Sequence, residues 1–426
     1  MSRFLLARQV VRQIAHRVSL CVALCAALIL PVMGAAQSTP PSQTPMTGLA
    51  RLAEKGVRLT DRRSAMTLDV HITQAVPWRV FTLDSPKRLV LDFAEVDWNG
   101  ADPVALASST ARIESVLMGL YRPGWSRMVI ELNEALVVDE ADMQTSPQGA
   151  KVRLRMVPTS DEAFAAKAGA PPNAMFVEED FPGAAARSVV EDGILTVVID
   201  PGHGGIDPGA EREGVVEKDL VLAFSRELRD SLLRQDWIEV HLTRDDDIFV
   251  PLEARVSAAR SFGADLFISI HADALAEGRA TGATVYTLSQ EASDVASEKL
   301  AERHDRGDLL AGVDLSHTDD AVALVLMDLV RNETAPRSAL LADAVVEGLH
   351  AATQSTYKTP RMQAGFSVLK APDIPSILVE LGFLSSQRDR EKLLDPEWRR
   401  QAAEGIRDGV LYWALNDEAA RARLRK

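Results

Sequence analysis

Cysteine is nearly absent from this 426-residue chain: there are two, Cys21 and Cys25, and both fall within the first 36 residues. A chain freed of that segment has no disulfide and no thiolate ligand, so any metal it holds rests on His and carboxylates. Acidic residues are missing from the same stretch. Arg3, Arg8, Arg12 and Arg17 lead into the apolar run VSLCVALCAALILPVMG and then the small residues Gly34-Ala35-Ala36. That is the layout of a cleavable secretory signal peptide over 1–36. The rival reading, a permanent membrane anchor, suits the run poorly, because it is short for a bilayer span and meets Pro31. No paired arginine precedes it, which points to general secretion rather than the twin-arginine route. Leu24 is too bulky to precede a lipid-bearing cysteine.

Positive charge is also in deficit, with 47 Lys and Arg against 61 Asp and Glu and a net charge of −14. A nucleic-acid binder needs a basic face to release phosphate counterions, so that class is excluded. The hydrophobic content of 46% with 25% charged residues is that of a folded chain, and the length calls for two domains.

Texture divides the chain. Residues 37–56 begin with the polar, Pro-rich QSTPPSQTPMTGLA and read as a flexible lead-in. Over 57–157 short alternating stretches dominate. In MTLDVHIT, Met66, Leu68, Val70 and Ile72 alternate with Thr67, Asp69, His71 and Thr73, and RLVLDF, SRMVIEL and KVRLRM read likewise. Period two means half-buried strands, and this many strands with turn residues between them predict a small all-β sandwich. His71 falls on the polar face and is expected to be exposed. Residues 158–190, rich in Ala, Pro and acids without a steady period, read as a linker. From 191 to 416 apolar strands (LTVVID, WIEVHL, DLFISIH, TVYTL, ILVEL) alternate with helical segments such as 219–235. This predicts an α/β domain on a twisted, mostly parallel sheet flanked by helices, followed by a tail over 417–426.

Sites in such sheets form at the carboxyl ends of strands. His203 follows VVIDPG, His271 closes FISI, Glu380 ends ILVE, and Glu217 precedes the helix near Asp219. Each alone has a plain structural reading, a hydrogen-bonded strand-end histidine or a first-turn acid favoured by the helix dipole. Two His and two Glu at one sheet edge suit zinc. Three ligands leave a fourth position for water, and another carboxylate takes and returns the proton.

The stretches VVIDPGHGGIDPGA, EKDL, LTRDDDIFVPLEARVSAARSFGADLFISIHADA and PSILVELGFLSS occur in that order. Together they resemble the zinc-dependent N-acetylmuramoyl-L-alanine amidases of bacterial cell separation, over essentially all of 191–415. PWRVFTLDSPKRLVLDF resembles, more loosely, the AMIN domain that precedes such enzymes. The resemblance implies one Zn²⁺ held by His203, Glu217 and His271, with Glu380 as the catalytic carboxylate. It also implies hydrolysis of the amide between N-acetylmuramic acid and L-alanine of peptidoglycan. With it come periplasmic location at the division septum, septal wall splitting, and an AMIN domain that targets the wall. The acidic chain would not be drawn to an anionic wall by charge alone.

In relatives with a helical insertion near 290–332, a helix covers the site, a glutamate on it fills the open zinc position, and a LytM-type activator displaces it. LAERHDRGDLLAGV is similar to that helix, but His304 stands where the family often has Glu-Asn. Either the His304 imidazole or Glu302 could then be the blocking ligand, or the enzyme is less tightly inhibited; an amphipathic surface helix is the plain alternative. Asp207 and Asp219 are candidates to orient a ligand imidazole. His241 reads as a locally satisfied strand residue, and Arg244 and Arg255 as structural ion-pair formers. Ser386 replaces the family's frequent Asn in FLSN, with little effect expected. Two rivals stand beside the amidase: a catalytically dead wall-binding module, which should have lost a ligand or the base, and another zinc hydrolase such as a carboxypeptidase.

Overall fold

The computed structural model describes residues 50–424, apart from 95, 123, 147, 172–173, 175–193, 275–279, 290, 312–322 and 372. The signal-peptide reading, most of the lead-in and most of the linker lie outside the described residues. Among those described, no helix is long and apolar enough to cross a membrane.

The N-terminal region is the expected sandwich. Its strands are β1 (Ala50–Arg62), β2 (Ala65–Ile72), β3 (Trp78–Leu83), β4 (Arg88–Ala94), β5 (Val96–Asp97), β6 (Ile113–Arg122), β7 (Trp125–Leu132), β8 (Leu136–Ser146) and β9 (Gly149–Pro158). Helix α1 (Pro103–Ser108) precedes β6, and α2 (Asp161–Ala165) follows β9. One sheet runs β5-β1-β2-β9-β8 and the other β3-β4-β7-β6. β2 behaves as its alternation requires: Met66, Leu68, Val70 and Ile72 are buried, packing with Leu89, Leu91 and Phe93 of β4 from the opposite sheet. His71 on the other face is half-buried rather than exposed.

Two expectations need correction. The lead-in over 37–56 is overrun by β1, which starts at Ala50, because Ala50 pairs with Val96 and Leu52 with Ile72 in the sheet. β4 and β7 are not half-buried: nearly every residue of both is inside. Their outer face (Val90, Val129) joins Phe81, Leu83 and Tyr121 in a second cluster with Ile206 and Phe249 of the following domain.

That domain holds β10 (Leu195–Pro201), the hairpin β11 (Glu211–Arg212) and β12 (Val215–Val216), α3 (Glu217–Leu232), β13 (Ile238–Leu242), α4 (Leu252–Ser261), β14 (Leu266–His271) and β15 (Ala283–Leu288). There follow α5 (Val295–Leu310), α6 (Ala323–Thr353), β16 (Thr356–Ala364), β17 (Ser376–Glu380), α7 (Gln387–Leu394) and α8 (Pro396–Leu424). The sheet order is β13-β10-β14-β17-β15-β16. All pairings are parallel except β15 with β17. Burial of β10 from Val197 onward, and of all of β14 and β17, follows from helices on both faces. Register then places His271 beside Glu380 at the carboxyl ends of β14 and β17.

Candidate metal centre

Past β10 the chain turns sharply through Gly202-His203-Gly204-Gly205. His203 itself adopts φ +58°, an unfavourable left-handed conformation for a residue with a Cβ. The turn is clasped by two buried arginines. Arg244 donates to the carbonyls of Pro201 (3.0 Å) and Gly202 (2.7 Å), and Arg255 to those of Pro201 (2.8 Å) and His203 (2.8 Å). Arg255 is also paired with buried Asp200 at 2.7 Å, as its ion-pair reading requires. Arg244 differs from that expectation: its bonds here go to backbone carbonyls, including Asp246 and Lys218. Gly202 must lack a side chain, since a Cβ there would lie 2.2 Å from His271 Cε1.

The four residues expected at this edge of the sheet converge. His203 Nε2 lies 3.3 Å from Glu217 Oε1, and His271 Nδ1 lies 3.1 Å from the same oxygen. Glu217 begins α3 yet is wholly buried, its two oxygens accepting the N–H of Ala210 (2.8 Å) and Ala272 (2.9 Å). Asp207 Oδ2 sits 2.8 Å from His203 Nδ1, which turns Nε2 toward Glu217, so the orienting role holds for Asp207. Asp219 is exposed and does not share it. Glu380 receives the Asp273 N–H on Oε2 at 3.1 Å, while its Oε1 has no hydrogen bond.

Burial and the close approach of charged groups set the electrostatics of the centre. Burial pulls His203 down, but the Asp207 and Glu217 carboxylates outweigh it and hold the imidazole well above its usual range. Burial opposes the ionised Glu217, yet His203 and the His271 hydrogen bond hold it well below the carboxylate range. His271 is pushed down to about 3, by burial and then by His304. Glu380 is driven well above the carboxylate range by burial, then by the Glu217 and Asp273 carboxylates.

The insertion helix α5 enters this centre. His304 is buried, stacked on His271 at 4.1 Å, with its Nε2 3.7 Å from Glu380 Oε1 and 3.6 Å from Asp273 Oδ2. Neither of its ring nitrogens has a hydrogen bond. Ligand atoms of His203, His271 and His304 all lie within 4.8 Å of one another. Glu302, in contrast, is exposed on the helix. The donor set fits a metal: ligand atoms ~2.0–2.1 Å from a tetrahedral ion stand ~3.3 Å apart, close to the Glu217 separations, and an ion would satisfy the buried unbonded nitrogens.

Three further contacts dock α5, none of them singled out from sequence. Arg303 bonds Asp273 (2.7 Å), Asp305 accepts the Ser367 N–H (3.0 Å), and Asp308 accepts the Leu252 N–H at the start of α4 (3.0 Å). Burial pushes Asp308 up from 3.8 to about 7. Between those values the folded chain binds more protons than the unfolded one, so stability falls as pH rises and the full cost is present above pH 7. Asp308→Asn, which keeps an acceptor for Leu252, should raise Tm by roughly 3 °C or more at pH 8 beyond any gain at pH 5. Equal gains at both pH values in calorimetry would refute this.

Elsewhere, His241 stacks on Phe262 at 4.3 Å beside Glu239, a local arrangement as expected. Ser386 caps α7 by accepting the Asp389 N–H, which Asn would do equally well.

With this geometry in hand, the comparisons decide the family. The model of N-acetylmuramoyl-L-alanine amidases matches residues 197–412, and that of the AMIN domain residues 56–156. The chain belongs to the N-acetylmuramoyl-L-alanine amidase family. Over 389 residues it is 33% identical to the amidase AmiC of Escherichia coli, covering 86% of this chain and 90% of that one. It is 32% identical to AmiC of Neisseria meningitidis over 370 residues, or 80% and 85% of the two chains. Its second half is 39% identical to AmiA of Escherichia coli over 232 residues, 53% of this chain and 80% of AmiA. The architecture of an AMIN domain ahead of an α/β amidase domain is therefore that of a cell-separation amidase, a hydrolase acting on peptidoglycan.

Proposed function

We propose that this amidase is a zinc enzyme that cuts between N-acetylmuramic acid and L-alanine during septal wall splitting, and that it rests in a plugged state. The observation that carries the zinc reading is the buried meeting of His203 Nε2, Glu217 Oε1 and His271 Nδ1 around unbonded polar atoms. These three residues would hold Zn²⁺, which lowers the pKa of a bound water and polarises the scissile carbonyl. Asp207 fixes the His203 tautomer, and the backbone N–H groups of Ala210 and Ala272 hold the Glu217 carboxylate in place. Glu380 keeps Oε2 on the Asp273 N–H and leaves Oε1 unbonded; a bound cation would offset the burial and carboxylates that favour its neutral form, so that Oε1 takes a proton from water and returns it to the leaving nitrogen. The packing of His304 against His271 and Glu380 supports a plugged resting state that an activator of the LytM type releases. Export to the periplasm follows from the leader over 1–36, and action at the septum from the AMIN domain. The intact ligand set argues against the dead wall-binding alternative, and the family match against a carboxypeptidase.

The test is hydrolysis of purified peptidoglycan by protein whose metal content is measured by mass spectrometry. Chelation to below one-hundredth occupancy should lower peptide release at least ~10²-fold, with zinc restoring it and free L-alanine amino termini appearing as the new end group. Full release by metal-free protein would end the zinc reading, and a different end group the amidase one.

A further inference from the structure

The AMIN domain presses on both parts of the centre that must move or stay still. Its β6 carbonyl at Leu120 accepts the Ile206 N–H at 2.8 Å, three residues past His203. The approach is backbone to backbone: a Cβ on Gly119 would lie 2.7 Å from Ile206 Cα. Tyr121 stacks on Phe249 with ring centroids 5.7 Å apart. Between these contacts lies Arg127 of β7, 1% exposed and bonded to wholly buried Asp92 at 2.6 and 3.0 Å. Its guanidinium stands 3.3 Å from the Tyr121 ring centroid. A buried ion pair is a poor source of stability unless its remaining donors are met. Here a spare donor, Nη1, reaches the carbonyl of Ala311 at 3.2 Å. Ala311 follows the last residue of α5, so the cation meets the negative end of the plug helix where carbonyls lack helical partners. On the same side, Arg306 of α5 faces Glu131 of β7 at 3.8 Å.

We infer that the AMIN domain is an intramolecular latch, in which Arg127 clamps the carboxyl end of α5 and holds it over the metal centre. The idea rests on the plug reading, and it places control of the plug at its two ends. His304 is held within the site, and Ala311 is held by a domain whose own business is elsewhere. Anything that draws the β3-β4-β7-β6 sheet off the amidase domain then frees α5 without touching the metal ligands. It also explains why β4 and β7 are buried on both faces: their outer face exists to seat on this domain.

The test uses the full chain. Arg127→Met with Asp92→Asn removes the clamp and its buried carboxylate together, leaving Arg79, which also pairs with Asp92 at 2.7 Å, its contact over the Trp125 ring, and Glu131→Arg sets two cations opposite each other while sparing the Arg127–Asp92 pair. Thermal unfolding establishes that each variant is folded, and hydrogen exchange reads amide protection over 300–311. We expect protection of α5 to fall at least about tenfold in the double variant and about threefold in Glu131→Arg, as expected for local opening that keeps the global fold. Activator-free peptide release should rise in the same order, with no further rise in a chain already lacking about 290–330. Unchanged α5 exchange in folded variants overturns the latch; if the double variant does not fold, Glu131→Arg alone decides. Faster exchange with no gain in release would keep the latch and sink the plug reading, so the two fail separately.

Discussion

Glu380→Gln should lower kcat for peptide release by about 10³-fold while leaving metal content unchanged. The substitution keeps the shape of the side chain and an acceptor for the Asp273 N–H, which bonds Oε2 at 3.1 Å. What it removes is the proton acceptor at Oε1, the oxygen that has no hydrogen bond. Glu380 is not one of the three residues that would hold the ion, so mass spectrometry should find the metal in place. The same change at Glu217 should behave differently. Glu217 bridges His203 and His271 at 3.3 and 3.1 Å, and an amide there would put its NH₂ against either an imidazole or a backbone N–H. Glu217→Gln should therefore lose metal as well as activity. Equal metal loss in both variants would show that Glu380 is a ligand and not the proton carrier. A Glu380→Gln enzyme within about tenfold of the parent would remove it from the chemistry altogether.

The division between these two glutamates marks how far the sequence could be read. Strand-end placement pointed to His203, His271 and Glu380, and parallel pairing of β14 with β17 brings the latter two side by side. Glu217 was harder. The first turn of a helix normally faces water, and its complete burial comes from the β11–β12 hairpin and the turn at Ala210 folding back over it. Alternation in β2 was legible because one face meets a core and the other does not. In β4 and β7 both faces are covered, the second by another domain, and no local period reports that. The arginine clasp on the Pro201–His203 turn was illegible for a related reason. Arg244 and Arg255 act on backbone carbonyls some forty to fifty positions away, and carbonyls leave no mark in a sequence. Asp207 was within reach, four residues from the imidazole it orients, while Asp219, two residues past Glu217, turned out exposed.

The largest gain should come from the plug. Deleting about 290–330 is expected to raise activator-free peptide release by about tenfold to a thousandfold, the range for a competent state that is otherwise 0.1–10% populated. His304→Ala should give a smaller rise, because the imidazole is one anchor among several. Arg303 on Asp273, Asp305 on Ser367 and Asp308 on Leu252 would still seat α5 in the groove. Glu302→Ala should change nothing, since that side chain is exposed. The ranking discriminates as well as the magnitudes. If His304 engages the ion, His304→Ala also lowers metal affinity, because an imidazole ligand has been lost, and added zinc should restore full occupancy without restoring inhibition. If α5 is only a surface helix, deletion leaves activator-free release at the parental level and His304→Ala merely destabilises the fold. Release that fell on deletion would mean that α5 builds the site instead of closing it. His304, buried with both ring nitrogens unbonded against His271 and Glu380, is what favours closure: such a group is costly to bury for structure alone, and an ion within reach would meet it.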